Sequence, residues 1–396
     1  MSARTLEGNL CSRQRLQRSE STNLALTCDI RKKTMYRALR PLLFALPPSF
    51  AHRLGSLALA PLEYVGPLRR AARAFCAPGD ARLASHVLGL DFASPLGMAG
   101  GFDKDGRRPR ALAALGFGFV EVGTVTAEPQ EANPSPNVFR LPEDRALVNR
   151  LGFPNRGAAC LAQRLEQTGD IGVPLGISIG KSRIVGLDPI EGAIDDYLAS
   201  FRAVREVADF VVVNVSSPNT KNLRALQTPN VARALLGALV RENAVSRVPL
   251  LVKVAPDLDD AGLEGLLAVV EELGIDGIVA TNTTTGRVGL RTSTARVEAI
   301  GAGGLSGPPL RERALAVVRR IRRRLGRSVA VVGVGGIENA SHAMEFMRAG
   351  ANLVQLYTAF VYEGPGVARA MGRHLADLVT EAGASNIAQL VGRDVS

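Results

Sequence analysis

The stretch VVVNVSSPNT, residues 211–220, changes character halfway along. Val211, Val212 and Val213 are β-branched and apolar, the composition of a strand buried on both faces. Asn214, Ser216, Ser217, Asn219 and Thr220 then crowd small uncharged polar groups onto the end of that strand. A buried strand that runs out into hydroxyls and carboxamides is read as one wall of a polar pocket.

Short apolar runs of this kind recur along the chain. Strands are expected over 95–101, 119–126, 175–181, 210–215, 250–255, 277–281, 329–335 and 353–357. Helix-like stretches alternate with them, over 110–115, 158–167, 194–207, 231–240, 260–273, 310–325, 340–349 and 366–380. The stretch 260–273 carries both end signals, with Asp259 or Asp260 as its cap and Gly274 beyond its last turn. Strand and helix alternating eight times predict an α/β fold, a (β/α)8 TIM barrel. An open doubly wound sheet is the alternative.

In such a barrel the working residues sit at the carboxyl ends of the strands, and that is where the unusual chemistry collects. The successive strand ends read Gly-Gly-Phe-Asp-Lys (100–104), Gly-Thr (123–124), Ser-Ile-Gly-Lys (178–181), Asn-Val-Ser-Ser-Pro-Asn (214–219), Lys253, Thr-Asn-Thr (281–283), Gly-Val-Gly-Gly (333–336) and Tyr-Thr (357–358). Glycine lets a backbone approach an anion closely. The consecutive glycine-rich loops at 303–307 and 333–336 therefore predict a phosphate site.

Only six of the 48 basic residues are lysine: Lys32, Lys33, Lys104, Lys181, Lys221 and Lys253. A chain that otherwise uses arginine keeps a lysine where a compact point charge is needed. Lys253, inside the strand LLVKVAP, fits either a pair with a buried acid or a cation set against a delocalised anion such as a flavin ring. Asn149, Asn214, Asn219 and Asn282 offer donors and acceptors from separate loops, suited to a flat heterocycle with alternating N–H and C=O groups. No His or Cys joins this set, so a proton-abstracting group would be Ser216, Ser217 or a threonine. Serine is a weak base and needs a relay or an activated substrate. Pattern alone does not choose between the two serines.

The chain has 396 residues and a formal charge of +11. Residues 1–40 hold nine Lys/Arg against three acids, which points to a basic, disordered extension over 1–34. No apolar run reaches the roughly 18 residues needed to cross a bilayer. Cys11, Cys28, Cys76 and Cys160 show neither CxxC nor metal spacing, and the four histidines are scattered, so no metal site is expected.

Taken together, AGGFDKDG (99–106), EVGTVT (121–126), FRLPEDRALVNRLGF (139–153), NVSSPNT (214–220), VKVAPDL (252–258), TNTT (281–284), GGLSG (303–307), GVGG (333–336) and LVQLYTAF (353–360) resemble the class 2, quinone-dependent dihydroorotate dehydrogenase family of bacteria. The resemblance implies an FMN-binding barrel over 81–382 that oxidises dihydroorotate to orotate in pyrimidine biosynthesis and delivers electrons to a membrane quinone. It implies Ser217 as the base and Thr220 as its proton relay. It implies an FMN site of Gly100, Gly101, Phe102, Asp103, Lys104, Thr124, Ser178, Asn214, Lys253, Thr281, Gly307, Gly336, Tyr357 and Thr358. The substrate would lie against Lys104, Asn149, Arg150, Leu151, Gly152, Phe153, Asn214, Asn219, Asn282 and Thr283.

The segment 35–80 then becomes a small helical membrane-associating module, with Leu39, Leu42, Leu43, Leu46, Leu54, Leu57, Leu59 and Leu62 forming an amphipathic pair on a bilayer. The implied protein is a monomer without a nucleic-acid partner, peripheral on the cytoplasmic side of a bacterial inner membrane, with a C-terminal tail over 383–396. Two features depart from the family pattern: Ser178 stands where asparagine is usual, and residues 1–34 are additional. The alternatives are an FMN barrel that reduces uridine in transfer RNA and a non-catalytic barrel bound to membranes.

Overall fold

Side chains on the strand Phe210–Asn214 alternate with a period of two. Val211 and Val213 pack outward against the helices, while Phe210 and Val212 point into the interior of the sheet. Asn214 has the same parity as Phe210 and Val212, so the first polar residue of the stretch points inward too.

The computed structural model describes residues 35–77 and 79–395. The basic segment 1–34, with Cys11 and Cys28, lies outside the described residues. In chain order the strands are β1 (Ser85–Val87), β2 (Leu90–Phe92), β3 (Leu96–Met98), β4 (Phe119–Val125), β5 (Val138–Leu141), β6 (Ala146–Asn149), β7 (Leu175–Ile179), β8 (Phe210–Asn214), β9 (Leu250–Val254), β10 (Gly277–Ala280), β11 (Gly304–Ser306), β12 (Ala330–Val334) and β13 (Leu353–Leu356). Eight of them, β3, β4, β7, β8, β9, β10, β12 and β13, form a closed parallel barrel. Pairing of Leu356 with Met98 joins the last strand to the first and excludes an open sheet. All eight expected strands are present.

The helices are α1 (35–45), α2 (Pro48–Tyr64), α3 (Gly66–Cys76), α4 (Pro109–Ala114), α5 (Ala158–Thr168), α6 (Ile190–Val204), α7 (Pro229–Asn243), α8 (Asp260–Leu273), α9 (Thr294–Ile300), α10 (Arg311–Leu325), α11 (Ala340–Arg348), α12 (Thr358–Glu363) and α13 (Val367–Glu381). For α8, the Asp259 carboxylate accepts from Gly262 N, and Gly274 closes the helix at φ +65°.

The lower barrel interior is filled with rings. Phe119 and Phe210 lie 6.2 Å apart, and Phe92 of the β1–β2 hairpin plugs the bottom, 5.5 Å from Phe119. These rings fit because their neighbours are bare: a Cβ on Gly97 would run into Phe119, and one on Gly176 into Phe210. One pleat higher on the same inward faces stand Glu121 above Phe119, Ser178 above Gly176, Lys253 above Leu251 and Gln355 above Leu353. An apolar floor therefore carries a polar layer, and the site is built on that layer.

Two features were not visible in the sequence pattern. β5, β6 and β11 form an antiparallel sheet, in which Asn149 pairs with Gly304 and Leu147 with Ser306. Its partners are far apart in the chain, so no local period announces it. Beyond residue 382, Ile387 and Leu390 are buried, and Gly392 N donates to Met347 O.

The N-terminal helices lie against the barrel. Glu63 on α2 accepts from Ala111 N in the first turn of α4 at 2.9 Å, and the Tyr36 hydroxyl donates to Val361 O at 2.6 Å. The eight leucines do not share one outward face. Leu39, Leu42, Leu54 and Leu57 are exposed, whereas Leu59 is buried and Leu62 packs on the barrel core. The helical period turns Leu59 and Leu62 to the opposite side of α2 from Leu54 and Leu57.

Candidate active site

At the top of the barrel a cavity of about 1030 Å3, open to solvent at its mouth, is lined by residues from seven of the eight strand ends, all but that of β7. Its floor is the polar layer. Lys253 Nζ lies 3.5 Å from Glu121 Oε1, and Gln355 Nε2 donates to Glu121 Oε2 at 2.6 Å. Glu121 is 0% and Lys253 6% exposed, so the pair is shielded from water. Lys253 thus satisfies both readings of its sequence: it is paired with a buried acid, and it faces the cavity. Sequence reasoning missed Glu121. Its signal was the same as that of Lys253, one charge inside an otherwise apolar run, FVEVGTV.

One wall is a chain of carboxamides and hydroxyls. Asn214 Nδ2 donates to Thr124 Oγ1 at 2.8 Å, and Thr124 is hydrogen-bonded to Ser178 Oγ at 2.8 Å. Asn282 Nδ2 donates to Asn214 Oδ1 at 3.2 Å and to Ser216 Oγ at 3.0 Å. Across the cavity, Asn219 Nδ2 donates to Asn149 Oδ1 at 2.9 Å. All four expected asparagines meet, and the polar end of residues 211–220 supplies two of them.

The structure separates the two serines. Ser216 is fully buried and engaged by Asn282, whereas Ser217 lines the cavity and its Oγ accepts from Asn219 N at 3.2 Å. Accepting that bond leaves the Ser217 hydroxyl proton free to point elsewhere. Thr220 Oγ1, three residues on, is buried with no hydrogen-bond partner.

Lys104 lines the cavity and donates to Gly101 O at 2.8 Å. Withdrawal from bulk water lowers its ammonium to about 8, against the pull of Asp105 and Asp103. Gly100, Gly101, Leu151, Gly152, Phe153, Thr281, Thr283, Gly307, Gly336, Tyr357 and Thr358 also line the cavity.

Five residues of the expected set do not line it. Phe102 turns toward α2 and stacks edge-on with His52 at 5.1 Å. Asp103 spends both carboxylate oxygens on the backbone N–H groups of Arg107 and Arg108. Arg150 reaches outward to Ile300 O and lies over the Phe139 ring. Ser178 stands behind Thr124, and Thr220 keeps its hydroxyl buried outside the cavity lining. Residues that sequence reasoning passed over but that line the cavity include Ser306, Glu338 and Gln355.

A group with a phosphate tail and a flat ring fits these walls. Gly307 and Gly336 have φ of +101° and +70°, and a Cβ on either would come within 2.9 Å of neighbouring backbone, so these loops close on the cavity only as glycine. Beside them the Ser306 and Thr358 hydroxyls are 2.9 Å apart. At the other end the Lys253 ammonium and the carboxamides suit a ring of alternating donors and acceptors. The aromatic series His52, Phe102, Tyr357, with centroids 5.1 and 6.0 Å apart, connects α2 to this cavity.

Comparison with known proteins agrees with these walls. The family model described as dihydroorotate dehydrogenase matches residues 82–379. A curated relative from Rhodococcus opacus, named dihydroorotate dehydrogenase (quinone), is 49% identical over 358 residues, covering 90% of this chain and 99% of the relative. The protein of the same name from Mycobacterium tuberculosis strain H37Rv is 46% identical, covering 90% and 98%. Among solved structures, that of Eimeria tenella DHODH in complex with ferulenol superposes with a TM-score of 0.74 at 33% identity, covering 86% of this chain and 98% of that one.

Proposed function

The chain belongs to the dihydroorotate dehydrogenase family, and from that premise we propose that it oxidises dihydroorotate to orotate in pyrimidine biosynthesis, using FMN in the barrel-top cavity and a quinone as electron acceptor. The observation that carries the reading is the opening of the Ser217 hydroxyl and the Lys253 ammonium into one cavity ringed by four carboxamides. Family membership favours this reading over the transfer-RNA alternative, and the presence of Ser217, Lys104 and Lys253 at one cavity favours it over the non-catalytic one.

FMN, when bound, supplies the hydride acceptor. Gly307, Gly336, Ser306 and Thr358 would hold its phosphate, and Lys253, Thr124 and Gly100 its ring. Asn149, Asn214, Asn219 and Asn282 present amides that match the alternating N–H and C=O groups of the dihydropyrimidine ring. The Lys104 ammonium answers the substrate carboxylate. Ser217 takes the ring proton, and Asn219 N–H keeps the Ser217 oxygen oriented while it does so. Serine cannot retain that proton at neutral pH. The buried, unpaired Thr220 hydroxyl three residues on would be the first step of the way out.

The N-terminal helices support attachment to a membrane surface. Met35, Leu39, Leu42, Phe50, Leu54, Leu57, Tyr64, Val65 and Leu68 are exposed there, against only Ile184, Val245 and Val288 among the large apolar residues described elsewhere. A patch of this kind marks a binding surface. No described helix is long and apolar enough to cross a bilayer. On this reading the protein lies, as a monomer, on the cytoplasmic side of a bacterial inner membrane, and the exposed face of α2 and the aromatic series would lead from the lipid to the cavity.

The test is an anaerobic visible spectrum of the purified protein. The flavin bands should bleach on addition of dihydroorotate and return on addition of a quinone. A flavin that stays oxidised in dihydroorotate overturns the substrate assignment.

A further inference from the structure

The loop after β8 carries Ser217 and the loop after β10 carries Asn282 and Thr283, but the two strands are not neighbours, because β9 lies between them. No strand pairing fixes the distance between the base and this part of the substrate wall. One bridge across the gap is the Asn282 side chain, which reaches Asn214 and Ser216. A bound pyrimidine would compete for those same amide groups, so that bridge weakens at the moment it is needed.

A second bridge does not touch the cavity. Arg224 stands in the short turn Leu223–Gln227 and spends three donors on three loops. Its Nε donates to Ser216 O at 3.1 Å, its Nη2 to Thr283 O at 3.0 Å and its Nη1 to Asp257 Oδ2 at 2.8 Å. Ser216 O belongs to the peptide that enters Ser217, and Thr283 O to the peptide that leaves Thr283. Asp257, after β9, is itself fixed by the Thr284 hydroxyl at 2.5 Å and by Thr285 N at 2.9 Å. Burial works against its ionisation, but the bonds from Thr284, Thr285 and Arg224 hold its carboxyl below the usual carboxylate range.

We propose that Arg224 is a positioning residue that sets the separation between Ser217 and the Asn282–Thr283 wall, acting through the two backbone carbonyls and anchored by Asp257. A planar guanidinium can address three acceptors in fixed directions. A lysine at this position keeps the charge but presents a single point, which cannot span all three. A displacement of about 1 Å in a reacting pair costs on the order of 100-fold in rate, so the clasp acts on the proton-abstraction geometry more than on the fold.

The proposal rests on the reading that Ser217 acts on a dihydroorotate ring, and the experiment separates the two. The full chain is prepared in detergent with its flavin, as wild type, Arg224→Lys and Arg224→Ala. The expected result is unchanged flavin content and visible spectrum in both variants and unchanged reoxidation of chemically reduced flavin by quinone. Bleaching by dihydroorotate should slow by on the order of 100-fold, with partial recovery of Arg224→Ala when guanidinium ion is added. Amide hydrogen exchange without substrate should quicken over 215–220 and 282–286. Wild type that does not bleach defeats the functional reading. Wild type and Arg224→Lys that bleach equally fast defeat the proposal alone. Loss of flavin or of folding in both variants also overturns it, since Arg224 would then be structural.

Discussion

Glu121 and Lys253 reach each other across the barrel interior, 3.5 Å from Oε1 to Nζ, from strands β4 and β9, which are separated in the sheet by β7 and β8. The pair closes the floor of the cavity and rests on a layer of phenylalanine, leucine and valine. Its energetics are those of two charges withdrawn from water: removing one partner is far worse than removing both.

That asymmetry gives a first prediction. Lys253→Met leaves the Glu121 carboxylate to Gln355 and should destabilise the protein by about 3–5 kcal/mol, with loss of flavin. Adding Glu121→Gln should recover most of the stability and none of the flavin affinity. Urea unfolding midpoints together with flavin absorbance decide it. A single variant as stable as wild type would show that the pair is not the buried unit described.

The two serines should separate by function. Ser217→Ala keeps the cavity walls and should slow flavin reduction by dihydroorotate by roughly 100- to 10,000-fold, the usual weight of a proton-transfer group. Ser216→Ala removes one acceptor from Asn282 and should slow it far less. Stopped-flow absorbance after mixing with dihydroorotate reads both, and equal losses would return the choice of base to the open state in which the sequence leaves it.

How much of this was legible depended on range. The eight barrel strands could be read because a parallel strand buried on both faces is a continuous apolar run, so Val211–Val213 or Leu250–Val254 announces itself locally. Asn214 and Lys253 stood out as polar residues in such runs, and the inward parity that brings them to the cavity is a period of two. Glu121 obeyed the same rule and could have been found by it. The serine pair could not: beyond Asn214 the chain leaves the strand, parity no longer assigns a face, and only contact with Asn282 reveals which hydroxyl is occupied. The β5–β6–β11 sheet and the Arg224 clasp are likewise long-range. Resemblance placed Asp103 and Phe102 at the cofactor, whereas hydrogen bonding to Arg107 N and Arg108 N holds Asp103 away and contact with His52 turns Phe102 toward α2.

Lys104 predicts a pH limit. Its ammonium titrates at about 8 in the folded protein, below the ordinary lysine value of 10.5. Below about 8 the charge is present to meet the substrate carboxylate, so kcat/KM for dihydroorotate should fall as pH rises through that value. Stability moves the other way: between about 8 and 10.5 the unfolded chain binds the extra proton, so the folded state gains as pH rises there. Lys104→Arg, which does not titrate in this range, should remove the descending limb from the kcat/KM profile whatever it does to the rate.

The last prediction uses the two faces of α2. Leu57 is 64% exposed and Leu59 is 8% exposed, two residues apart. Leu57→Glu removes apolar surface from the outward face and introduces a charge, so binding to vesicles of mixed neutral and anionic phospholipid should drop sharply. Dihydroorotate oxidation with a water-soluble acceptor should stay at the wild-type level, because Leu57 touches neither the cavity nor the barrel core. Leu59→Ala should do the reverse. It opens a cavity between α2 and the barrel, which costs about 2–5 kcal/mol at a well-packed site, and it leaves the outward face intact for the vesicle. Vesicle sedimentation and thermal unfolding on the two variants separate lipid contact from helix packing. If Leu57→Glu sediments with vesicles as wild type does, the exposed leucines are not the membrane face.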